Sequence, residues 1–383
     1  FFWADADGDL SSKLNVPGMR NVRVLGVDVD HTAFICGDSH QVEPSCVAMR
    51  PDAERPEWRL PFRGVDAIAG AALAPGRLYV ATWDGELMAI GDVSSAANEG
   101  PSGILADEGP DVPTFGPDPQ WSAPEVPGGH PWPMPRHDAW GTLWAAFEGP
   151  KAPAERWVLE REGGFSGGPV VAADGTVYVG TPTGALLALD GEGALRWRAN
   201  LPAGAVGTPA LGADGTVYVT DELANLSAFD PEGELLWQYH ATGTLTHTHR
   251  SGTGKVLRED VIPLDRLGPA GAGPTVAPDG TIYFTMAVET FGHEANRFFR
   301  SEVMLAVSPS GESALETPRY VGSDRRPARI SADGNWILWS DLQLVPTPSS
   351  PADGASVAPY AAYVMAKLEE NDNSGLRTVI GAD

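Results

Sequence analysis

The chain has 383 residues, with 51 Asp and Glu against 26 Lys and Arg, for a formal net charge of −25 at pH 7. An acid surplus of that size excludes a partner held by phosphate neutralisation, so no nucleic acid is expected, and it disfavours anionic membrane surfaces. The 45 glycines and 34 prolines fit a fold built of many turns, and no apolar stretch approaches the roughly 18 residues of a transmembrane helix.

The chain opens on Phe1 rather than Met, as after removal of a signal peptide, which gives the expectation of an extracytoplasmic setting. Residues 1–20 read as an N-terminal extension. Within it DADGDL places acids at alternate positions, Asp5, Asp7 and Asp9, like the start of a calcium loop. Such a loop wants Gly at its sixth position and Glu at its twelfth, where this chain has Leu10 and Val16. Calcium is the one cofactor with a candidate site on this reading, set against a plain acidic terminus.

From residue 21 onward the pattern is of short strands. Val22 to Trp58 holds the only two cysteines, Cys36 and Cys46, on consecutive predicted strands joined by SHQVEP. Adjacent antiparallel strands can bring such a pair within disulfide reach, and the alternative is two buried thiols. Gly70 to Val93, GAALAPGRLYVATWDGELMAIGDV, gives three strands, with a fourth either lost or delayed to ERWVLERE, Glu155 to Glu162. Between them lies an insertion at about 94–153. Its first part is rich in Gly, Pro and acid, while its later part carries His130, Trp132, His137, Trp140 and Trp144, aromatic enough to dock on the fold or on a partner.

The strongest signal follows. GGPVVAADGTVYVGTPTGALLALDGEGALRW (167–197) is echoed forty residues later by GTPALGADGTVYVTDELANLSAFDPEGELLW (207–237). Each copy reads as four strands separated by tight turns, and one such sheet cannot bury both faces alone. The reading is therefore all-β: a β-propeller of four-stranded antiparallel blades with long loop insertions, spanning 21–383 as a single unit. Six blades are detectable, in a range of six to eight.

Weaker copies continue downstream. GPTVAPDGTIYFT (273–285) and VMLAVSPSGESAL (303–315) make one unit, and ARISADGNWILWS (328–340) opens another whose third strand is sought at Ala362 to Glu370. Insertions are expected at about 241–269, 287–302 and 346–360. The first holds His247 and His249, two residues apart and so on one face if the segment is a strand, a weak candidate for a transition metal with Glu259 and Asp260 near in sequence. The second carries Phe291, Arg297, Phe298, Phe299 and Arg300, whose aromatic-plus-arginine character suits a partner-binding loop.

DGTVYVGT…LLALD…GALRW resembles the PQQ-like β-propeller repeat, the tryptophan-docking blade shared by quinoprotein dehydrogenases and outer-membrane assembly lipoproteins. WPMPRHDAWGT (132–142) is similar to a segment that often precedes the first blade in that family, and here it lies mid-chain. The resemblance implies that Trp58, Trp157, Trp197 and Trp237, each taken to end a fourth strand, pack between blades. It implies no single activity. A quinoprotein dehydrogenase would hold a quinone and calcium on the propeller axis, in many cases above a disulfide of adjacent cysteines, and this chain has no Cys-Cys pair. No GxSxG, HExxH, phosphate-loop or CxxCH motif occurs. The function expected is a non-catalytic extracytoplasmic scaffold or protein-recognition platform, binding protein partners or like subunits in a cell-surface or envelope assembly and needing no cofactor. The alternatives are a quinoprotein-type dehydrogenase and a binder of envelope polysaccharide.

Overall fold

The structure is a computed structural model. It describes residues 2–4, 10–13, 19–39, 42–50, 53, 55–62, 68–92, 126–139, 141–242, 244–250, 256–263, 268–269, 273–292, 297–314, 319–322, 329–330, 336–338 and 344–346. The described residues are almost entirely strand and turn, and the fold is all-β, of the β-propeller type.

Among the described residues, six sheets of three or more strands follow one another along the chain. Sheet one is Arg20–Val27, Ala33–Ser39, Val42–Met49 and Trp58–Pro61, and sheet two is Ile68–Ala74, Arg77–Thr82, Glu86–Asp92 and Pro153–Glu160. Sheet three runs Val170–Val171, Val177–Thr181, Ala185–Leu189 and Leu195–Asn200, and sheet four Ala205–Leu211, Val217–Asp221, Asn225–Phe229 and Leu235–His240. Each of these four is an antiparallel meander in which every strand pairs with the next. Sheet five comprises Gly268–Pro269, Thr275–Val276, Ile282–Gly292, Arg297–Val307 and Arg319–Gly322; sheet six comprises Arg329–Ile330, Trp336–Leu338 and Leu344–Pro346. Two further pairs stand apart: Phe2–Ala4 with Leu10–Lys13, and Thr244–Arg250 with Val256–Pro263.

This topology bears on three expectations. The fourth strand of sheet two is delayed rather than lost: Pro153–Glu160 pairs with Glu86–Asp92 across the long insertion. The third strand of sheet six is Leu344–Pro346, whereas 362–370 lies outside the described residues. Within 241–269 Thr244–Arg250 pairs with Val256–Pro263, and within 287–302 the described residues are paired continuations of Ile282–Gly292 and Arg297–Val307.

A single residue row explains why the sheets stack. Tyr178, Ala188 and Trp197 stand opposite one another on the second, third and fourth strands of sheet three. Tyr218, Ala228 and Trp237 repeat the row in sheet four, Tyr79, Ala89 and Trp157 in sheet two, and Phe34, Ala48 and Trp58 in sheet one. The alanine between two aromatics leaves them room to lean together, with ring centroids 5.6–5.9 Å apart. None of the tryptophans ends its fourth strand: Trp58 begins it, Trp197 and Trp237 are third in theirs, and Trp157 lies mid-strand.

Each indole then reaches the next sheet. Trp157 Nε1 donates to the Gly191 carbonyl at 3.0 Å, Trp197 to Pro231 at 2.8 Å and Trp237 to Pro309 at 2.9 Å. Gly191 and Pro231 lie in the turn between the third and fourth strands of the following sheet, and Pro309 just past Arg297–Val307 of sheet five. Gly233, at φ +93°, shows how tightly the ring seats: a Cβ there would come within 2.7 Å of Trp197, and Gly193 and Gly311 stand in the same relation to Trp157 and Trp237. Trp58 completes the series by donating to Pro150 at 2.8 Å, just before the delayed fourth strand of sheet two.

The innermost strands meet backbone to backbone. A Cβ on Gly70 would lie 2.6 Å from Gly168 Cα, Gly167 is packed against Gly207, and the Gly168 N–H donates to Thr208 Oγ1 at 2.8 Å. The first strands of sheets two, three and four therefore begin side by side, and glycine at these points is what permits the approach. In the four meanders, every connection from second to third strand and from fourth strand to the next sheet lies at this end. Every connection from first to second and third to fourth lies at the opposite end.

Candidate functional site: the two ends of the propeller

The C-terminal ends of the innermost strands are bridged by one stretch of the chain's own insertion, residues 126–150, here called the strap. Its Pro131, Pro133 and Pro135 hold the intervening residues extended and leave only alternate N–H groups to bond. Trp132 exchanges both backbone hydrogen bonds with Val171 of sheet three, and Pro133 accepts from Leu211 N–H of sheet four at 2.7 Å. Ala139 accepts from Ile330 of sheet six at 2.7 Å. Val27 of sheet one then bonds Leu143 and Ala145, both at 2.8 Å, and Gly76, just past the first strand of sheet two, donates to Glu148. Met134 is buried with Val276 of sheet five. Trp132 is 1 % exposed and sits in the core shared by sheets one, two and three.

The strap is folded back by a compact polar knot. His137 Nδ1 lies 3.2 Å from Asp138 Oδ2, and the Asp138 carboxylate also accepts from the backbone N–H of Thr142 at 3.1 Å and from its hydroxyl. Burial alone would push the Asp138 carboxyl pKa up, but the His137 hydrogen bond and charge and the Thr142 bonds outweigh it and hold it below its usual value. Arg136 (φ +65°), His137 (φ +82°) and Leu143 (φ +62°) all take left-handed backbone conformations, the local cost of this reversal. The His137 ring meets the edge of Trp132 at 4.9 Å. At the strap's far end Asp28 Oδ2 accepts from Gly149 N–H at 3.1 Å while its Oδ1 caps Asp30 and Thr32 of sheet one. Burial raises the Asp28 pKa against these backbone hydrogen bonds.

The opposite end is furnished differently. Trp83 (52 % exposed) and Leu223 (54 % exposed) project from the second-to-third connections of sheets two and four. The Thr244–Arg250/Val256–Pro263 hairpin rises between sheets four and five, with Val261 63 % exposed, and the prolonged Ile282–Gly292/Arg297–Val307 hairpin rises from sheet five. Cys36 and Cys46 are directly opposed on sheet one and joined as a disulfide, Cα atoms 4.0 Å apart, clamping the hairpin whose turn lies at this end.

His247 and His249 stand on the first of these hairpins, opposite Asp260 and Arg258. Phe291 pairs with Phe298, Thr290 with Phe299, Glu289 with Arg300 and Gly292 with Arg297, so the candidate partner-binding residues occupy two facing strands near one tip rather than a loop. Asp5, Asp7 and Asp9 lie outside the described residues. Among the described residues no group of three or more His, Cys, Asp or Glu is placed to hold a metal ion, and no helix is long and apolar enough to cross a membrane. Of the two outcomes the sequence leaves open for the aromatic part of the insertion, docking on the fold or on a partner, Trp132 takes the first, and Pro131, Pro133 and Pro135 are the local signal of its extended backbone.

Comparison with known proteins agrees with the repeats. Residues 139–266 match the PQQ-like family model PQQ_2, described as outer membrane protein assembly factor BamB. No curated protein matches the chain. Among solved structures, the crystal structure of BamB from Moraxella catarrhalis aligns at 14 % identity and TM-score 0.40, covering 83 % of each chain. Over 139–266, the stretch holding sheets three and four, the chain is similar to the PQQ-like β-propeller repeat family.

Proposed function

We propose that this protein is a non-catalytic extracytoplasmic scaffold, a protein-recognition platform within a cell-surface or envelope assembly. The observation that carries the reading is the division of labour between the two ends of the propeller. One end is bridged by the chain's own strap, with its apolar side chains in the core. The other presents two hairpins longer than the turns around them, together with exposed Trp83, Leu223 and Val261. Aromatic and aliphatic side chains raised on rigid, paired backbone are suited to protein recognition, since little conformational entropy is lost on binding. The Cys36–Cys46 disulfide supports an oxidising compartment, and the matched family's description supports an assembly role in an envelope.

The test is affinity purification of the full chain from the envelope of its source. A stoichiometric partner should be retained by the native chain and by a Leu235→Ser variant, whose exposed leucine lies on an outer strand. It should be lost when Thr244–Pro263 is replaced by a short Gly-Ser turn. A quinone recovered with the native protein, together with dye-linked alcohol oxidation, would overturn the scaffold reading.

A further inference from the structure

His130 is the crossing point of three elements. It is 6 % exposed, at the start of the strap, wedged between the first-to-second-strand turns of sheets three and four. Its Nδ1 accepts from the Ala173 N–H at 3.0 Å, and its Nε2 stands 2.9 Å from the Gly212 carbonyl. The backbone partners dictate the proton's position. An amide N–H can only donate, so Nδ1 carries a lone pair; a carbonyl can only accept, so Nε2 carries the hydrogen. The ring is thus fixed as the neutral Nε2–H tautomer. A Cβ on Gly128 would lie 2.4 Å from the Ala213 carbonyl oxygen and 2.6 Å from His130 Nε2, so the strap backbone closes over the ring on that side.

We propose that His130 is an acid-sensitive latch: a proton gained at Nδ1 sets donor against donor at Ala173 and frees the start of the strap from sheets three and four. The charged groups facing the ring are Asp174 on the first turn and Asp214 on the second, and both favour the cation. Asp174 is already committed to Thr176 and to Arg196, whose Nη1 lies 2.6 Å away. Burial outweighs these carboxylates and lowers the His130 pKa from 6.5. For a histidine with a lowered folded value, the latch is fully set above the ordinary value and is lost as pH falls through that value toward the lower one.

The experiment is amide hydrogen exchange read by mass spectrometry on the full chain, at about pH 7.5 and about pH 5, corrected for intrinsic exchange. Peptides covering 126–134 and 170–176 should lose about tenfold protection at the lower pH. In His130→Gln, which is neutral throughout, the same peptides should keep one level of protection at both pH values. Equal protection of the native chain at both pH values would overturn the proposal. So would acid loosening of undiminished size in His130→Gln, which would assign the effect to Asp174 or Asp214. A variant that does not fold leaves a direct reading on the native chain, the C2–H exchange of each histidine against pH. A His130 midpoint at or above that of an ordinary histidine would equally defeat the latch.

Discussion

At the scale of single residues, the aromatic–alanine–tryptophan row both stiffens each sheet and fastens it to the next. Half-burying an indole removes on the order of 100 Å² of apolar surface, worth about 2–3 kcal/mol, and its N–H bond adds about 1 kcal/mol. Trp197→Ala should therefore cost about 3 kcal/mol, while Trp197→Phe, which keeps the ring against Gly233 but gives up the bond to Pro231, should cost about 1 kcal/mol. Urea unfolding of the two variants side by side measures both; a Trp197→Phe variant as stable as the native chain would mean the hydrogen bond contributes nothing, and equal losses would mean the ring contact contributes nothing. The disulfide is a second residue-scale clamp. Cys36 and Cys46 are ten residues apart, and a loop of that length predicts about 2–3 kcal/mol of stabilisation. Unfolding of the Cys36→Ala, Cys46→Ala double variant against the oxidised protein should show a loss of that size.

At the scale of elements, the strands were legible and the strap was not, for a physical reason. A strand of this fold writes its partner into its own sequence: alternating Val and Tyr, a turn of Asp-Gly, and a Trp at a fixed spacing give sheets three and four almost residue for residue. The strap has no such local partner. Trp132 and Met134 are ordered by strands far along the chain, and nothing within 126–150 announces which they are. For the same reason the paired stretches within 241–269 and 287–302 read as insertions, since their composition hides a ladder that only pairing reveals. Of the candidate site residues, the tryptophans and the cysteine pair were legible because their partners lie within one sheet or its neighbour. The polar knot that turns the strap gives an element-scale prediction. Asp138 has a lowered pKa, so its contribution is fully present above its usual value near 3.8 and is lost as pH falls through the lower folded value. Asp138→Asn should cost about 1–3 kcal/mol at neutral pH, and the difference from the native chain should shrink toward zero in acid. Chemical denaturation at about pH 7 and about pH 2.5 supplies the comparison; a difference that stays constant would remove the carboxylate from the account of the strap.

At the scale of the whole molecule, the sheets are bound to one another twice, at the outer side by the indoles and at the inner side by glycine backbones, with the strap tying the inner ends at one face. This leaves the other face free to carry long hairpins without disturbing the core, which is why a scaffold role fits the fold. Inner packing and outer docking can be separated experimentally. Gly70→Ala places a Cβ against the Gly168 backbone, which has no side chain that could move aside, so the first strands of sheets two and three must part. The cost should be about 1–3 kcal/mol. Gly268→Ala, in an innermost strand of sheet five but with open space around it, should stay within about 0.5 kcal/mol of the native chain. If the inner contacts join the sheets into one cooperative body, Gly70→Ala should lower a single thermal transition seen alike by tryptophan fluorescence and far-ultraviolet circular dichroism. Two transitions, with sheets three and four melting at the native temperature, would show that the indole contacts alone hold those sheets together and that the glycine contacts merely accommodate them.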